Sequence, residues 1–92
     1  MRTIILDIQN FDNKADLYQY FKDQISLCFY HGANLEALYD DLTSITEATT
    51  LVLRYPAVPK EALLGYIPRM LKTFEDAARE NYNLSLQLEE IS

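Results

Sequence analysis

Glu36 and Asp40 stand one helical turn apart in the stretch YHGANLEALYDD, Tyr30 to Asp41, with Tyr39 beside them and another acid at Asp41. On a helix that spacing puts both carboxylates on one face, where they repel by about 0.2–0.5 kcal/mol. Two carboxylates so placed can help to bind a hard cation, divide acid–base work at a substrate, or answer basic groups on another molecule. The first two uses describe a small metal-dependent hydrolase built on Glu36 and Asp40. Such a site needs further oxygen ligands and a substrate cleft, and no loop of the chain has calcium-ligand spacing. The third use needs only exposure and the absence of a compensating base.

Other routes to chemistry are thin. Nucleophilic catalysis would need Cys28 or a serine with a histidine and an orienting acid. His31 lies three residues from Cys28, a pair that reads more simply as a structural cysteine and a loop histidine. With only two glycines, no phosphate-cradling loop is present. Tyr18, Tyr20, Tyr55, Tyr66 and Tyr82 read as core-edge or surface tyrosines, whereas Tyr30 and Tyr39 bracket the acidic face. A tyrosine among carboxylates is the composition of a protein-binding hot spot.

Charge supports that reading. The net charge is −6, and between Lys22 and Arg54 there is no Lys or Arg. That interval holds the five acids Asp23, Glu36, Asp40, Asp41 and Glu47, a local charge of −5 with His31 neutral. Such a field repels nucleic acid and anionic membrane and attracts basic partners. A single cysteine excludes an internal disulfide and a cysteine-rich zinc site. The first residues, MRTIILDIQN, are too briefly apolar for a signal peptide, and no stretch is long enough to span a bilayer. The expectation is one cytoplasmic domain over residues 1–92 with no cofactor and no metal.

The elements that position these residues follow from periodicity. Thr3 to Ile8 is β-branched and apolar and predicts a strand. Asn13 and Asp16 form a variant capping box before a helix over 14–26, in which Leu17, Phe21 and Ile25 recur every four residues. A loop from Ser26 to Ala33 follows, with Gly32 suited to a positive φ or a close approach. Asn34 caps a second helix over 35–44, striped with Leu35, Leu38 and Leu42. Thr49 to Tyr55 is the strand expected to be most buried. Pro59 fits the start of a short helix that Gly65 ends, and Pro68 starts another through Glu80, with Leu71, Phe74 and Ala78 on one face. Asn81 suits a left-handed C-terminal position. Tyr82 to Leu88 alternates as a last strand with Leu84, Leu86 and Leu88 on one side. The order β-α-α-β-α-α-β predicts an α/β fold, a three-stranded parallel sheet packed against about four helices.

Tyr30, His31-Gly32, Asn34-Leu35-Glu36-Ala37-Leu38-Tyr39-Asp40 and Leu42-Thr43 resemble the aromatic-Gly-x-Asn-Leu-Asp-Ala-Leu-Trp-Asp-x-Leu-Thr segment of the barstar family, intracellular inhibitors of the ribonuclease barnase. Leu51-Val52-Leu53 resembles the family's second strand, Phe74-Glu75-Asp76-Ala77 its last helix, and Leu84 to Leu88 its final strand. The resemblance implies a bacterial-type inhibitor that plugs a nuclease active site with its second helix and the preceding loop. Asp40 then matches the aspartate that enters where a substrate phosphate would lie, and Glu36 a neighbouring acid. Tyr30 and Tyr39 match aromatic contacts, and Asp76 an acid on the rim. Gly32 and Asn34 hold loop and cap, with His31 and Thr43 completing the surface. Tyr39 stands where the family has tryptophan, His31 where it has a second aromatic, and Ser44-Ile45 where it has Gly-Trp. The implied partner is a small, basic, secreted, barnase-like ribonuclease, bound one to one by a chain that is monomeric when free. The same acidic face would also suit an adaptor or regulatory domain that holds a basic protein other than a nuclease.

Overall fold

The computed structural model describes residues 2–25 and 34–92. The predicted loop from Ser26 to Ala33, with Gly32 in it, falls outside the described residues.

The elements are β1 (Arg2–Asp7), α1 (Lys14–Ile25), α2 (Leu35–Thr43), β2 (Thr49–Pro56), α3 (Tyr66–Glu80) and β3 (Leu84–Ile91). They form a three-stranded sheet in the order β1-β2-β3, parallel throughout, as the alternation of strands and helices requires. Leu51 pairs with Ile4 on one side and Leu86 on the other, and Leu53 pairs with Leu6 and Leu88. Since strand side chains alternate, these residues share one face. That face meets the helices: Leu6, Leu51 and Leu53 are fully buried with Leu17 and Phe21 of α1, Leu38 and Leu42 of α2, and Met70 and Phe74 of α3. Phe21 and Phe74 meet edge to face, their centroids 5.4 Å apart, and join α1 to α3 across the core.

The short helix predicted between Pro59 and Gly65 is a single 3-10 turn, Glu61–Leu63. Pro59 precedes it without starting it, and Gly65 is instead the residue before α3, with right-handed φ −86° and ψ −13°. The last helix begins at Tyr66, not Pro68. Pro68 is its third residue, where the missing N–H would have had no intrahelical acceptor anyway. Burial of Tyr66 and Ile67 extends the helix backwards. Its buried stripe is Ile67, Met70, Phe74 and Ala77, while Leu71 and Ala78 lie half-buried beside it. Asn81 is extended (φ −122°, ψ 102°), not left-handed, because its side chain has a different task.

The other face of the sheet carries Thr3, Ile5 and Asp7 of β1, Thr50, Val52 and Arg54 of β2, and Ser85, Gln87 and Glu89 of β3. None of these is buried.

Candidate functional site

The second helix is short, and its ends are held by specific bonds. Asn34 sits in extended geometry (φ −145°, ψ 173°), and its Oδ1 accepts the backbone N–H of Ala37 at 2.8 Å. This N-cap starts α2 at Leu35 and satisfies one of the orphan donors of the first turn. At the other end the Thr43 hydroxyl donates to the carbonyls of Tyr39 and Asp40, both at 3.0 Å, and the Ser44 hydroxyl to that of Asp40 at 2.7 Å. The buried Asn81 amide reaches back from the end of α3 and donates to the carbonyls of Leu42 (3.0 Å) and Ile45 (2.9 Å). Its Oδ1 accepts from Asn83 N–H at 3.0 Å and fixes the entry to β3. One side chain thus ties the C-terminus of α2 to the α3–β3 junction.

Ala37, Leu38 and Leu42 turn inwards, which leaves Glu36 and Asp40 exposed and Tyr39 half-buried between the two faces. Glu36 lies in the first turn, where the helix dipole favours an acid. Asp40 and Asp41 lie near the negative end, where it does not, and the last turn has no base. The packing of α2 against α3 creates a groove of about 390 Å³ lined by Leu35, Glu36, Tyr39, Asp40, Thr73 and Asp76. An adjoining notch of about 470 Å³ is lined by Lys14, Asn34, Leu35, Glu36, Tyr66 and Arg69. Below the notch the hydroxyls of Tyr18 and Tyr66 share a short buried hydrogen bond, and Lys14 Nζ stands 4.5 Å from the Tyr66 ring centroid. Burial pushes both hydroxyls above the usual tyrosine range, with the shared bond raising Tyr18 further.

The acids of the groove are not equivalent. Asp76 is held by two bases on its own helix, with Lys72 Nζ at 3.0 Å from Oδ2 and Arg79 Nη2 at 3.2 Å from Oδ1. Among the described residues no cation pairs with Glu36 or Asp40. Nor is there, among those residues, a group of three or more His, Cys, Asp or Glu side chains placed to hold a metal ion.

The sequence pattern of barstar, the barnase inhibitor, matches residues 1–89. The chain belongs to the barstar family. A Bacillus subtilis (strain 168) protein named "Putative ribonuclease inhibitor YrdF" is 35% identical over 81 residues, 87% of this chain and 89% of that one. Barstar-family proteins are inhibitors, not enzymes, which agrees with the poverty of catalytic groups in the sequence.

In this barstar-family chain Glu36, Tyr39, Asp40 and Asp76 meet in one groove, although Asp76 is distant from the others in sequence. Asn34 lines the adjoining notch. Thr43 lines neither cavity, and its hydroxyl is committed to the carbonyls of α2. Tyr30, His31 and Gly32 lie outside the described residues. Sequence reasoning missed Thr73, the α3 partner in the groove wall, and the bridging role of Asn81. Thr73 carried a signal in hindsight, one turn before Asp76 on the same helix face. Asn81 carried none beyond its place at a helix end.

Proposed function

We propose that this chain inhibits a small, basic, barnase-like ribonuclease by seating the outer face of α2 in the nuclease's active-site cleft. A cleft that handles RNA gathers basic side chains, and an inhibitor can fill it with carboxylates placed where phosphates belong. Asp40 takes the phosphate position and Glu36 binds a base beside it. Tyr39 packs on the cleft wall, and Asp76 lies at the rim. Asn34 keeps the start of α2 in place, while Tyr30, His31, Gly32 and Thr43 complete the contact surface. The complex is one to one, and inhibition occurs inside the producing cell.

The observation that carries the reading is the pair Glu36 and Asp40, exposed over a groove and without a cation partner among the described residues. Mutual repulsion, and for Asp40 the helix dipole, make the pair a cost in the free protein that basic groups of a partner remove. The −5 segment steers encounter with a cation-rich surface, so association slows as salt rises.

The test is a titration of RNA cleavage by barnase and a panel of other small basic ribonucleases. At least one is expected to be inhibited stoichiometrically, and Asp40→Ala to lose that inhibition. Full inhibition by Asp40→Ala would remove α2 from the mechanism. Failure to inhibit any of them, with a basic non-nuclease protein retained in a pull-down, would make the chain an adaptor.

A further inference from the structure

We propose that Lys14 and Arg69 form a basic counterpart to the acidic face, a site that takes a carboxylate of the same nuclease while α2 occupies its cleft. The inference rests on the reading of α2 as the inhibitory face. It adds what the partner must carry beside its bases.

The notch next to the groove is bounded by the first turns of all three helices. Lys14 opens α1, Asn34 and Leu35 open α2, and Arg69 is the fourth residue of α3, whose first turn has no acid. A cation in a first turn is disfavoured by the positive end of the helix dipole, as Asp40 is by the negative end of its own. Both bases are exposed, and neither is answered within the fold. Among the described residues no ion pair joins Lys14 or Arg69 to a carboxylate, and residues 26–33 carry no acid. What they meet instead is the tyrosine pair below. Lys14 Nζ stands 4.5 Å from the Tyr66 ring centroid, a contact that holds the ammonium without neutralising it. Burial raises the Tyr18 and Tyr66 hydroxyls and the Arg69 charge works against that rise at both, so the guanidinium lies close to the same pair. Phenols kept protonated by burial leave both cations with their full charge.

The sign of the surface therefore changes across Glu36. Leu35 and Glu36 line both cavities, so groove and notch are continuous. Beyond Glu36 on the groove side lie Asp40 and the ion-paired Asp76, and on the notch side two bases, of which Glu36 can offset at most one. An interface of ordinary size, about 800 Å² on each partner, extends past the groove and over the notch. Cations covered without an anion lose hydration and gain nothing, which disfavours a partner that offers bases alone. A partner that sets bases against Asp40 and an acid against Lys14 and Arg69 is matched in orientation as well as in charge. An RNA phosphate is the poorer occupant, since a net charge of −6 repels a polyanion.

Inhibition constants are measured against barnase, or against the panel ribonuclease that wild type inhibits best. Lys14→Gln/Arg69→Gln is expected to weaken inhibition about ten-fold, with a melting temperature close to that of wild type. The direction is diagnostic, because the loss of two positive charges would by steering alone improve association with a basic enzyme. Arg54→Gln/Lys60→Gln removes the same charge away from both cavities and should inhibit as well as wild type. Carboxylates around the nuclease cleft are then changed singly to amides, with binding read by titration calorimetry so that inactive enzymes count too. One such change should weaken binding to wild type but alter binding to Lys14→Gln/Arg69→Gln by less than about two-fold, the coupling expected of groups in contact. Full inhibition by Lys14→Gln/Arg69→Gln, or a loss to which no carboxylate of the enzyme is coupled, would overturn the proposal. So would binding of an RNA oligonucleotide by wild type that the double variant loses, since the notch would then be a phosphate site. If wild type inhibits none of the ribonucleases, the inhibitory reading itself fails, and this inference with it.

Discussion

The outer face of the sheet and the outer face of α2 are both exposed and charged, but they treat their charges in opposite ways. On the sheet, register brings Asp7, Arg54 and Glu89 into one row across three strands. Arg54 stands 3.8 Å from Asp7 and 3.3 Å from Glu89, and on the same sheet Arg2 reaches Glu47 at 2.9 Å. Every acid of that row has a base. On α2, Glu36 and Asp40 have none among the described residues, although α3 carries bases one groove away. Charges answered within the fold keep a parallel sheet soluble on a face that such sheets usually cover. Charges left unanswered, and repelling each other, are available to another molecule. The contrast lies in pairing, not in charge density.

The largest effect that could break this comparison is on binding. Asp40→Ala should weaken inhibition by about 2–5 kcal/mol, the cost of truncating one partner of a desolvated charge pair, for which barnase–barstar is itself a reference case. Its melting temperature should not fall, since an exposed carboxylate that repels its neighbour is removed. Glu89→Ala should leave inhibition unchanged, and a comparable loss there would abolish the distinction between the two faces.

Next in size is the bond that holds the acidic helix to the rest of the fold. Asn81→Ala leaves the carbonyls of Leu42 and Ile45 without their side-chain donor and should cost about 1–3 kcal/mol of stability by denaturant melt. Inhibition at low temperature should weaken less than in Asp40→Ala, because Asn81 supports the site without facing the partner.

Alkaline pH separates the support from the charges in another way. Tyr18 and Tyr66 are held above the ordinary tyrosine value of about 10, so the unfolded chain loses these protons first. Their contribution to stability is complete below pH 10 and declines above it, because the unfolded state then binds fewer protons than the folded one. Tyr18→Phe should flatten that decline in a pH series of thermal melts. The smallest effect belongs to the sheet: Arg54→Gln should change stability by less than about 1 kcal/mol, as exposed ion pairs do, and leave inhibition untouched.

Much of this organisation was legible beforehand. The TIILDI and TTLVLRY runs became strands, and the four-residue recurrence of Leu17, Phe21 and Ile25 became the buried face of α1, because period and burial are local properties. Asn34 capped α2 as a residue of its type does. Punctuation was less legible. Pro59 and Gly65 suggested a further helix, but the five residues between them form only a 3-10 turn, and Pro68 entered α3 because a third helical residue needs no N–H. Asp76 reached the site through the family resemblance alone, since nothing in its neighbourhood shows which helix it faces.

By itself the sequence determined the alternation of strands and helices, the start of α2, and the exposure of Glu36 and Asp40 opposite Leu38 and Leu42. Each follows from side chains a few residues apart, whose relation is set once the backbone is helical or extended. Only the tertiary structure decided that α3 lies beside α2, that Asp76 and Thr73 form the other wall, that Asn81 ties the two helices, and that Arg54 answers Asp7 and Glu89. Those relations join residues tens of positions apart. They are settled by how the apolar faces of the helices pack on the sheet, and that packing determines which charges are answered and which are left for a partner.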